Sequence, residues 1–405
     1  MPLFFGATCY LGLGHFLKVP IVGALSFLEP AWVSNSIGNP LSAAFFPSAV
    51  MDVMEMKTLS DRLKNSLLKF VSATIFTSQT EHLQTEAMRK YLSPEMPSIR
   101  EIEKSVALLI TNTHYSFFGV RPTTTALIEV GGLHISENEA EFTPELKQWM
   151  DESTSGVVYF TFGSTVLIES LPKYTILAIY ASFSKIAPVR VLIKIKDIRT
   201  LPPGLPENVK TLSWIPQIPV LSHNNTRVFI THCGLLGLQE SLHFGVPIIG
   251  IPLHSDQFRN VQIFVMKKMG IRINYEDISE DVLDDALDRI LNNSTYREAA
   301  KYESRLFRDR PMTAMETATF WIEYVLRNGD KTLKSPALEL KWWQVQLLDV
   351  YALLLSITLL VIYVIKIILK IVLRNLGLNK VGFLLMAFFS IRYKKPLVNE
   401  KLKDE

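Results

Sequence analysis

Six short apolar runs, separated by longer helical patterns between Gly156 and Tyr275, constrain the fold of this chain more than any other feature of its text. They are residues 156–162 (GVVYFTF), 189–195 (VRVLIKI), 209–214 (VKTLSW), 227–231 (RVFIT), 246–252 (VPIIGIP) and 271–275 (IRINY). Most are apolar at nearly every position rather than at alternate ones, as expected of strands covered by helices on both faces. Helical patterns fall between them over 173–186, ended by Pro188; 235–244, ended by Gly245; and 257–269, ended by Gly270. Ser279 then caps a helix running to Asn292, with Val282, Ala286 and Ile290 on one stripe. This alternation predicts a doubly wound α/β domain built on a parallel sheet.

The first 125 residues are less regular. Residues 19–27 (VPIVGALSF) and 106–112 have strand character, residues 59–70 have helical character, and the Pro-containing stretch 121–132 reads as a linker into the second domain. At 405 residues, 48% apolar and 20% charged, the chain has length for two domains and is neither a disordered tail nor a disulfide-stapled miniprotein. Its two cysteines, Cys9 and Cys233, form no Cys-x-x-Cys pair.

Residues 350–369 (VYALLLSITLLVIYVIKIIL) carry a single charge, Lys366. At about 1.5 Å of rise per residue this run covers roughly the 30 Å of a hydrocarbon core, and it is apolar all round, so a transmembrane helix is expected. Trp342 and Trp343 suit the aromatic belt on one side, and Lys366, Lys370 and Arg374 the interface on the other. From Lys366 onward nine Lys/Arg face three Asp/Glu, a local +6 in a chain whose total is +3. A basic tail behind a near-neutral body points to a membrane surface and not to nucleic acid, and it places the tail in the cytosol with the large domain in a lumen. Residues 381–391 are too few to cross again and read as interfacial. The first ten residues (MPLFFGATCY) lack the cationic region of a signal peptide, so either the C-terminal helix does the targeting or the chain lacks its true beginning.

In an open α/β sheet, ligands bind beyond the carboxyl ends of the strands. GVVYFTF is followed by Gly163-Ser164, a turn whose amides can receive an anion. RVFIT is followed by His232-Cys233-Gly234 and a helix, whose leading N–H groups and dipole favour a phosphate. Beyond VPIIGIP lie His254-Ser255-Asp256-Gln257, a carboxylate and an amide side by side, as a polyhydroxylated ligand needs. A phosphate site beside a hydroxyl-reading site predicts a nucleotide sugar. Dinucleotide and Walker fingerprints fail, because Gly12 and Gly14 lack a third glycine and Gly234 and Gly237 are wrongly spaced. His223, His243 and His254 lie eleven or more residues apart, so no metal is expected. Met266 and Met269, at helical spacing, read as core. Asn224, Asn292 and Asn293 begin N-x-S/T sequons, which carry meaning only on a lumenal face.

The segment 214–260, with WIPQ, ITHCGLLGLQES and GVPIIGIPLHSDQFRN, resembles the signature of the UDP-glycosyltransferases, the membrane-bound class that includes UDP-glucuronosyltransferases, and is most similar to invertebrate members. VGGLHI around Leu133, VYFTFGS ending at Ser164, and Trp321-Ile322-Glu323-Tyr324 match as well, so the resemblance covers nearly the whole chain. It implies the GT-B architecture: an N-terminal acceptor-binding Rossmann-like domain, incomplete over 1–125; a UDP-sugar-binding domain over 126–312; a closing helix and linker over 313–346; one transmembrane helix over 347–372; and a cytosolic tail over 373–405. It also implies that Trp214 stacks on uracil, Gln217 bonds the nucleotide, Ser164, His232 and Gly234 hold the diphosphate, Glu240 accepts from ribose hydroxyls, and Asp256 and Gln257 grip the sugar. A UDP-sugar, UDP-glucose or UDP-glucuronate, is then the co-substrate, with no cofactor, and a small lipophilic hydroxyl compound is the acceptor. Homo- or hetero-oligomers are possible partners, and Lys401 and Lys403 resemble a dilysine retrieval signal for the endoplasmic reticulum.

The family's chemistry inverts the sugar after an N-terminal histidine, oriented by an aspartate, takes the acceptor's proton. His15 is the early histidine of this chain and no aspartate precedes Asp52, so the base-bearing loop is expected to lie upstream of Met1. A catalytically incomplete form that binds UDP-sugar or pairs with relatives is therefore the alternative. Cys233 departs from the family's usual glycine, and a side chain there is expected to weaken phosphate binding if the position needs φ > 0.

Overall fold

The computed structural model describes residues 7–40, 42–48, 51, 56–136, 141–164 and 166–376. Residues 1–338 form one compact unit and residues 339–405 a second.

The first unit is built on two parallel sheets. The smaller has the order β1 (Ile21–Leu25), β2 (Val106–Thr111), β3 (Leu127–Glu129). Every residue of β2 is buried, as a central strand covered on both faces requires. The stretch 121–132 is thus not a plain linker: Leu127, Ile128 and Glu129 pair with Leu109, Ile110 and Thr111 as a third strand. Three residues between prolines and glycines are too short to show a strand period in the text.

The larger sheet contains β4 (Val157–Thr161), β5 (Arg190–Lys194), β6 (Val209–Leu212), β7 (Thr226–Thr231), β8 (Ile248–Gly250) and β9 (Gly270–Arg272), in the order β6-β5-β4-β7-β8-β9. All six expected strands are present. The last two are shorter than the apolar runs, since Pro247 and Pro252 bring no N–H to the ladder and the chain beyond Ile273 turns away. Strand order reverses between β4 and β7, and the crevice above that pair is where a doubly wound sheet holds its ligand.

Helices Lys173–Lys185, Leu235–Phe244, Gln257–Met266 and Glu280–Asn292 cover the larger sheet. The buried stripe of the last is Leu283, Ala286, Leu287 and Ile290, while Val282 is exposed, one position off the expected line. The Gln257 helix stops at Met266 because Lys268 takes a left-handed φ of +56°; Met269 is buried beyond it, but Met266 is half exposed and not core. In the first half, the helix expected over 59–70 extends over Leu59–Tyr91, opened by a capping box between Thr58 and Asp61 and free of Gly and Pro until Pro94. A later helix, Ala314–Asn328, returns to the smaller sheet, packing Ala318, Trp321 and Val325 against Ala107, Leu108, Ile110 and Val130.

In the second unit, the helix Leu348–Asn375 spans 28 residues with mean hydropathy 2.7 over its most apolar window, long and apolar enough to cross a membrane. The interfacial stretch 381–391 and the terminal lysines lie outside the described residues.

Candidate functional site

The loops beyond β4 and β7 meet at the strand-order reversal. Gly163 has φ +80°, and a Cβ there would lie 2.9 Å from the His232 ring; a Cβ on Gly234 would lie 2.7 Å from His232 Nε2. The imidazole is therefore sandwiched between two backbones that only glycine keeps clear. Burial, reinforced by His254, lowers the His232 pKa to about 4, so the ring is neutral near pH 7. Its Nδ1 is closed off without a hydrogen-bond partner among the described residues. Gly234 caps the helix Leu235–Phe244, whose leading amides have no intrahelical acceptor. Ser164 is exposed beside Gly163.

Lys194, at the end of β5, donates from Nζ to the Gly163 carbonyl at 3.1 Å and lies 4.8 Å above the Trp214 ring. It is the cation that ties the indole to the glycine turn, and sequence reasoning missed it because a strand-end lysine carries no pattern of its own. Trp214 is 73% exposed, so it is not a core aromatic. Gln217 donates to Glu240 Oε2 at 2.7 Å and accepts from the Tyr159 hydroxyl at 3.2 Å. Glu240, 7% exposed, also meets His134 Nε2 through Oε1 at 3.2 Å.

Asp256 precedes the helix Gln257–Met266, after Ser255 in a left-handed turn at φ +57°. Asn260, one turn on, donates to Asp256 Oδ2 at 2.7 Å and to the Cys233 carbonyl at 3.2 Å, drawing the β8 loop onto the β7 loop. Its i+4 spacing from Asp256 was the available signal. Gln257 Oε1 accepts from the amides of Leu253 and His254 at 2.8 and 3.0 Å, so its remaining offer to a ligand is the Nε2 donor. Cys233 has φ +68°, the conformation that favours glycine, but its thiol points away from the crevice: it is fully buried, 3.5 Å from the Thr231 carbonyl, and burial raises its pKa.

His15 does not join this cluster. It is exposed on the helix Leu11–Leu17, which leads into the amino end of β1, whereas ligands sit at carboxyl ends. His223 is held by Asp151 at 3.0 Å. Among the described residues no three His, Cys, Asp or Glu converge as a metal site.

The sequence profile described as UDP-glucoronosyl and UDP-glucosyl transferase matches residues 6–381. The chain belongs to this family. UDP-glucosyltransferase 2 of Dactylopius coccus is 34% identical over 354 residues, covering 87% of this chain and 68% of that protein. Human UDP-glucuronosyltransferase 2A3 is 30% identical over 347 residues, covering 85% and 64%. Two solved structures share the fold. The spinosyn forosaminyltransferase SpnP has a TM-score of 0.56 at 16% identity, over 78% of this chain and 74% of that one. An anthocyanidin 3-O-glucosyltransferase in complex with UDP has 0.54 at 18%, over 79% and 74%. The two parallel sheets are thus the GT-B architecture expected of a UDP-glycosyltransferase, whose class of reaction is sugar transfer from a UDP-sugar.

Proposed function

We propose that this UDP-glycosyltransferase is anchored by Leu348–Asn375 in the endoplasmic reticulum membrane with its catalytic unit lumenal, and moves glucose or glucuronate from UDP onto hydroxyls of small lipophilic acceptors. The observation that carries the reading is the His232 ring enclosed by Gly163 and Gly234 at the strand reversal, with Trp214 joined to the Gly163 turn through Lys194, Asp256 joined to the Cys233 carbonyl through Asn260, and Gln217 bonded to Glu240 on the helix that Gly234 caps. In this reading Trp214 offers an exposed indole face to uracil, and Glu240 accepts from the ribose diol. The diphosphate lies on the amides ahead of Leu235, with Ser164 and Lys194 beside it. Because His232 is neutral, it serves as an N–H donor, and the positive charge comes from Lys194 and the helix end. Asp256 and the Gln257 Nε2 hold sugar hydroxyls while the acceptor hydroxyl oxygen bonds to the anomeric carbon and releases its proton to water, UDP departs with its bonding pair, and the configuration inverts.

A second reading, donor binding without turnover, is favoured by the histidines at the carboxyl ends of the smaller sheet. His114 is buried, 2.7 Å from Ser116 Oγ, with its pKa lowered to about 4 by burial and Arg310. His134 is tied to Asn112 and Glu240. Both rings are engaged with protein partners.

Calorimetry on the detergent-solubilised chain tests the shared core of both readings. UDP should bind, NAD should not, and Trp214→Ala should weaken UDP by about tenfold, the loss of a base–aromatic stack. Absence of UDP binding would overturn both. Turnover with a broad acceptor panel, above a His232→Ala control, would eliminate the second.

A further inference from the structure

We propose that His134 is a positioning residue for the donor nucleotide: it fixes the Glu240 carboxylate for a vicinal diol and makes the loops of the smaller sheet part of donor recognition. The inference rests on the reading of Glu240 as the ribose acceptor. It starts from a chain of hydrogen bonds that runs from Gly132 through Asn112 and His134 to the Leu236 carbonyl and brings the His134 ring against Glu240. The Gly132 amide donates to Asn112 Oδ1 at 2.9 Å, so Asn112 presents its Nδ2 donor to His134 Nδ1 at 3.2 Å. His134 Nδ1 must then accept, and the proton sits on Nε2. That nitrogen lies 3.2 Å from both the Leu236 carbonyl and Glu240 Oε1, two acceptors. From the other side, Gln217 Nε2 donates to Glu240 Oε2, and Tyr159 in turn donates to Gln217 Oε1.

Oε2 of the carboxylate is thus held by the Gln217 donor, while Oε1 lies 3.2 Å from His134 Nε2, whose one N–H is hydrogen-bonded to the Leu236 carbonyl and presents its edge to the carboxylate. A carboxylate accepts about four hydrogen bonds, so at least one site per oxygen is left, the pattern a pair of adjacent hydroxyls fills. Without His134, Oε1 would lose the N–H edge that lies 3.2 Å from it and the carboxylate could rotate, and the second hydroxyl would be read poorly. The same helix is fastened to the same loops by Gln239, which is fully buried, donates to the Asn112 carbonyl at 2.6 Å and accepts from the Gly132 amide at 3.0 Å. Movement of the Asn112 and Gly132 loops therefore reaches the diol reader directly, and ligands on the two sides affect each other reciprocally.

Two isosteric variants separate positioning from packing. An Asn side chain reproduces the Nδ1 edge of histidine and a Gln side chain the Nε2 edge, so His134→Gln keeps an N–H beside Glu240 and His134→Asn loses it. The readout is the ratio of calorimetric affinities for UDP and 2′-deoxy-UDP in the full chain. Wild type should prefer UDP by about tenfold, the weight of a hydrogen bond to a charged acceptor. His134→Gln should retain most of that preference, whereas His134→Asn should bring the ratio near one with 2′-deoxy-UDP affinity unchanged. Gln239→Ala should weaken both ligands alike. If Asn and Gln at 134 behave identically, or weaken both ligands equally, the positioning role is overturned. A wild type that binds UDP and 2′-deoxy-UDP equally would instead overturn the reading of Glu240.

Discussion

The two sheets of residues 1–338 share parallel pairing but differ in where their cover comes from. Each face of the larger sheet is closed largely by helices that lie between its own strands or directly flank them in the chain, such as Lys173–Lys185 after β4, Leu235–Phe244 after β7 and Glu280–Asn292 after β9. One face of the smaller sheet is closed by Ala314–Asn328, a helix from the far side of the larger sheet. Its other face is apolar, with Ile21, Leu25, Val106, Leu109 and Leu127 packed against Leu11, Val33, Ile37, Met88, Ile99 and Ile102, while charge is buried in the loops around it: the Arg121 side chain pairs with Glu29 and Glu129, and the buried Arg259 donates to the Ser48 carbonyl at 3.3 Å. Local sequence can specify a sheet that supplies its own cover. It cannot specify one completed two hundred residues later.

The largest test of that difference is Val325→Asp. Val325 is fully buried against Val130 and the β2 side chains, and an unpaired carboxylate there should cost several kcal/mol. Amide exchange should speed up first in β2 and β1, with β4 and β7 still protected. Equal loss across both sheets would mean that they unfold as a single cooperative body.

Acid should act on both sheets through one buried histidine each. His114 and His232 both have pKa values lowered to about 4 by burial, against about 6.5 unfolded. The unfolded chain binds more protons between those values, so stability falls as pH drops from about 6.5 to 4, by roughly 2–3 kcal/mol per histidine. His114→Phe should remove about half of that dependence in denaturant titrations across the window. UDP should alter only the His232 half: a diphosphate beside that ring favours the imidazolium, so UDP binding should take up protons between pH 4 and 6.5. A UDP affinity independent of pH there would show that the phosphates do not approach His232.

What could be read in the text follows the same division. The strands β4 to β9, the helix Leu235–Phe244 and the cluster of Trp214, Gln217, His232 and Asp256 were legible because each is encoded within one strand-loop-helix step, and because the nucleotide-sugar signature falls on those steps. Strand β3 was lost among turn residues. His134, within VGGLHI, carries no local signal of a role, since its hydrogen-bond partners lie 22 residues before it and 102 after, at Asn112 and Leu236. The stripe residue Val282 was misplaced by one position because Leu283 and Leu287 fit a helical period equally well.

A smaller effect is expected of Gly163→Ala and Gly234→Ala. Gly163 combines φ +80° with a 2.9 Å approach to the imidazole, so alanine should cost about 1–2 kcal/mol of stability and displace the ring. Gly234 has an ordinary φ of −61°, so alanine there should leave the backbone unstrained and act only by pushing on His232 Nε2. UDP affinity should fall about tenfold in both, with stability lost chiefly in the first. Unchanged UDP affinity in both would remove His232 from the donor site.

The smallest effect is expected of Cys233→Gly. The left-handed φ of +68° at Cys233 is the backbone for which glycine is suited, and glycine would relieve roughly 1 kcal/mol of strain. Yet the thiol is wholly buried, and its sulfur occupies the space beside Gly250, where a Cβ would come within 2.5 Å of it. Deleting it opens a small void worth about 1 kcal/mol in the opposite direction. The side chain therefore affects the larger sheet through packing and backbone strain, and not through contact with phosphate. Melting temperature should move little, and UDP affinity should stay within about twofold, below 0.5 kcal/mol. Cys233→Ala separates the two effects, since it keeps the strained backbone and loses the sulfur, and it should be the less stable of the two variants. A marked gain in UDP affinity on Cys233→Gly would instead show that the side chain does obstruct the phosphates, and that the β7 turn rearranges when the donor arrives.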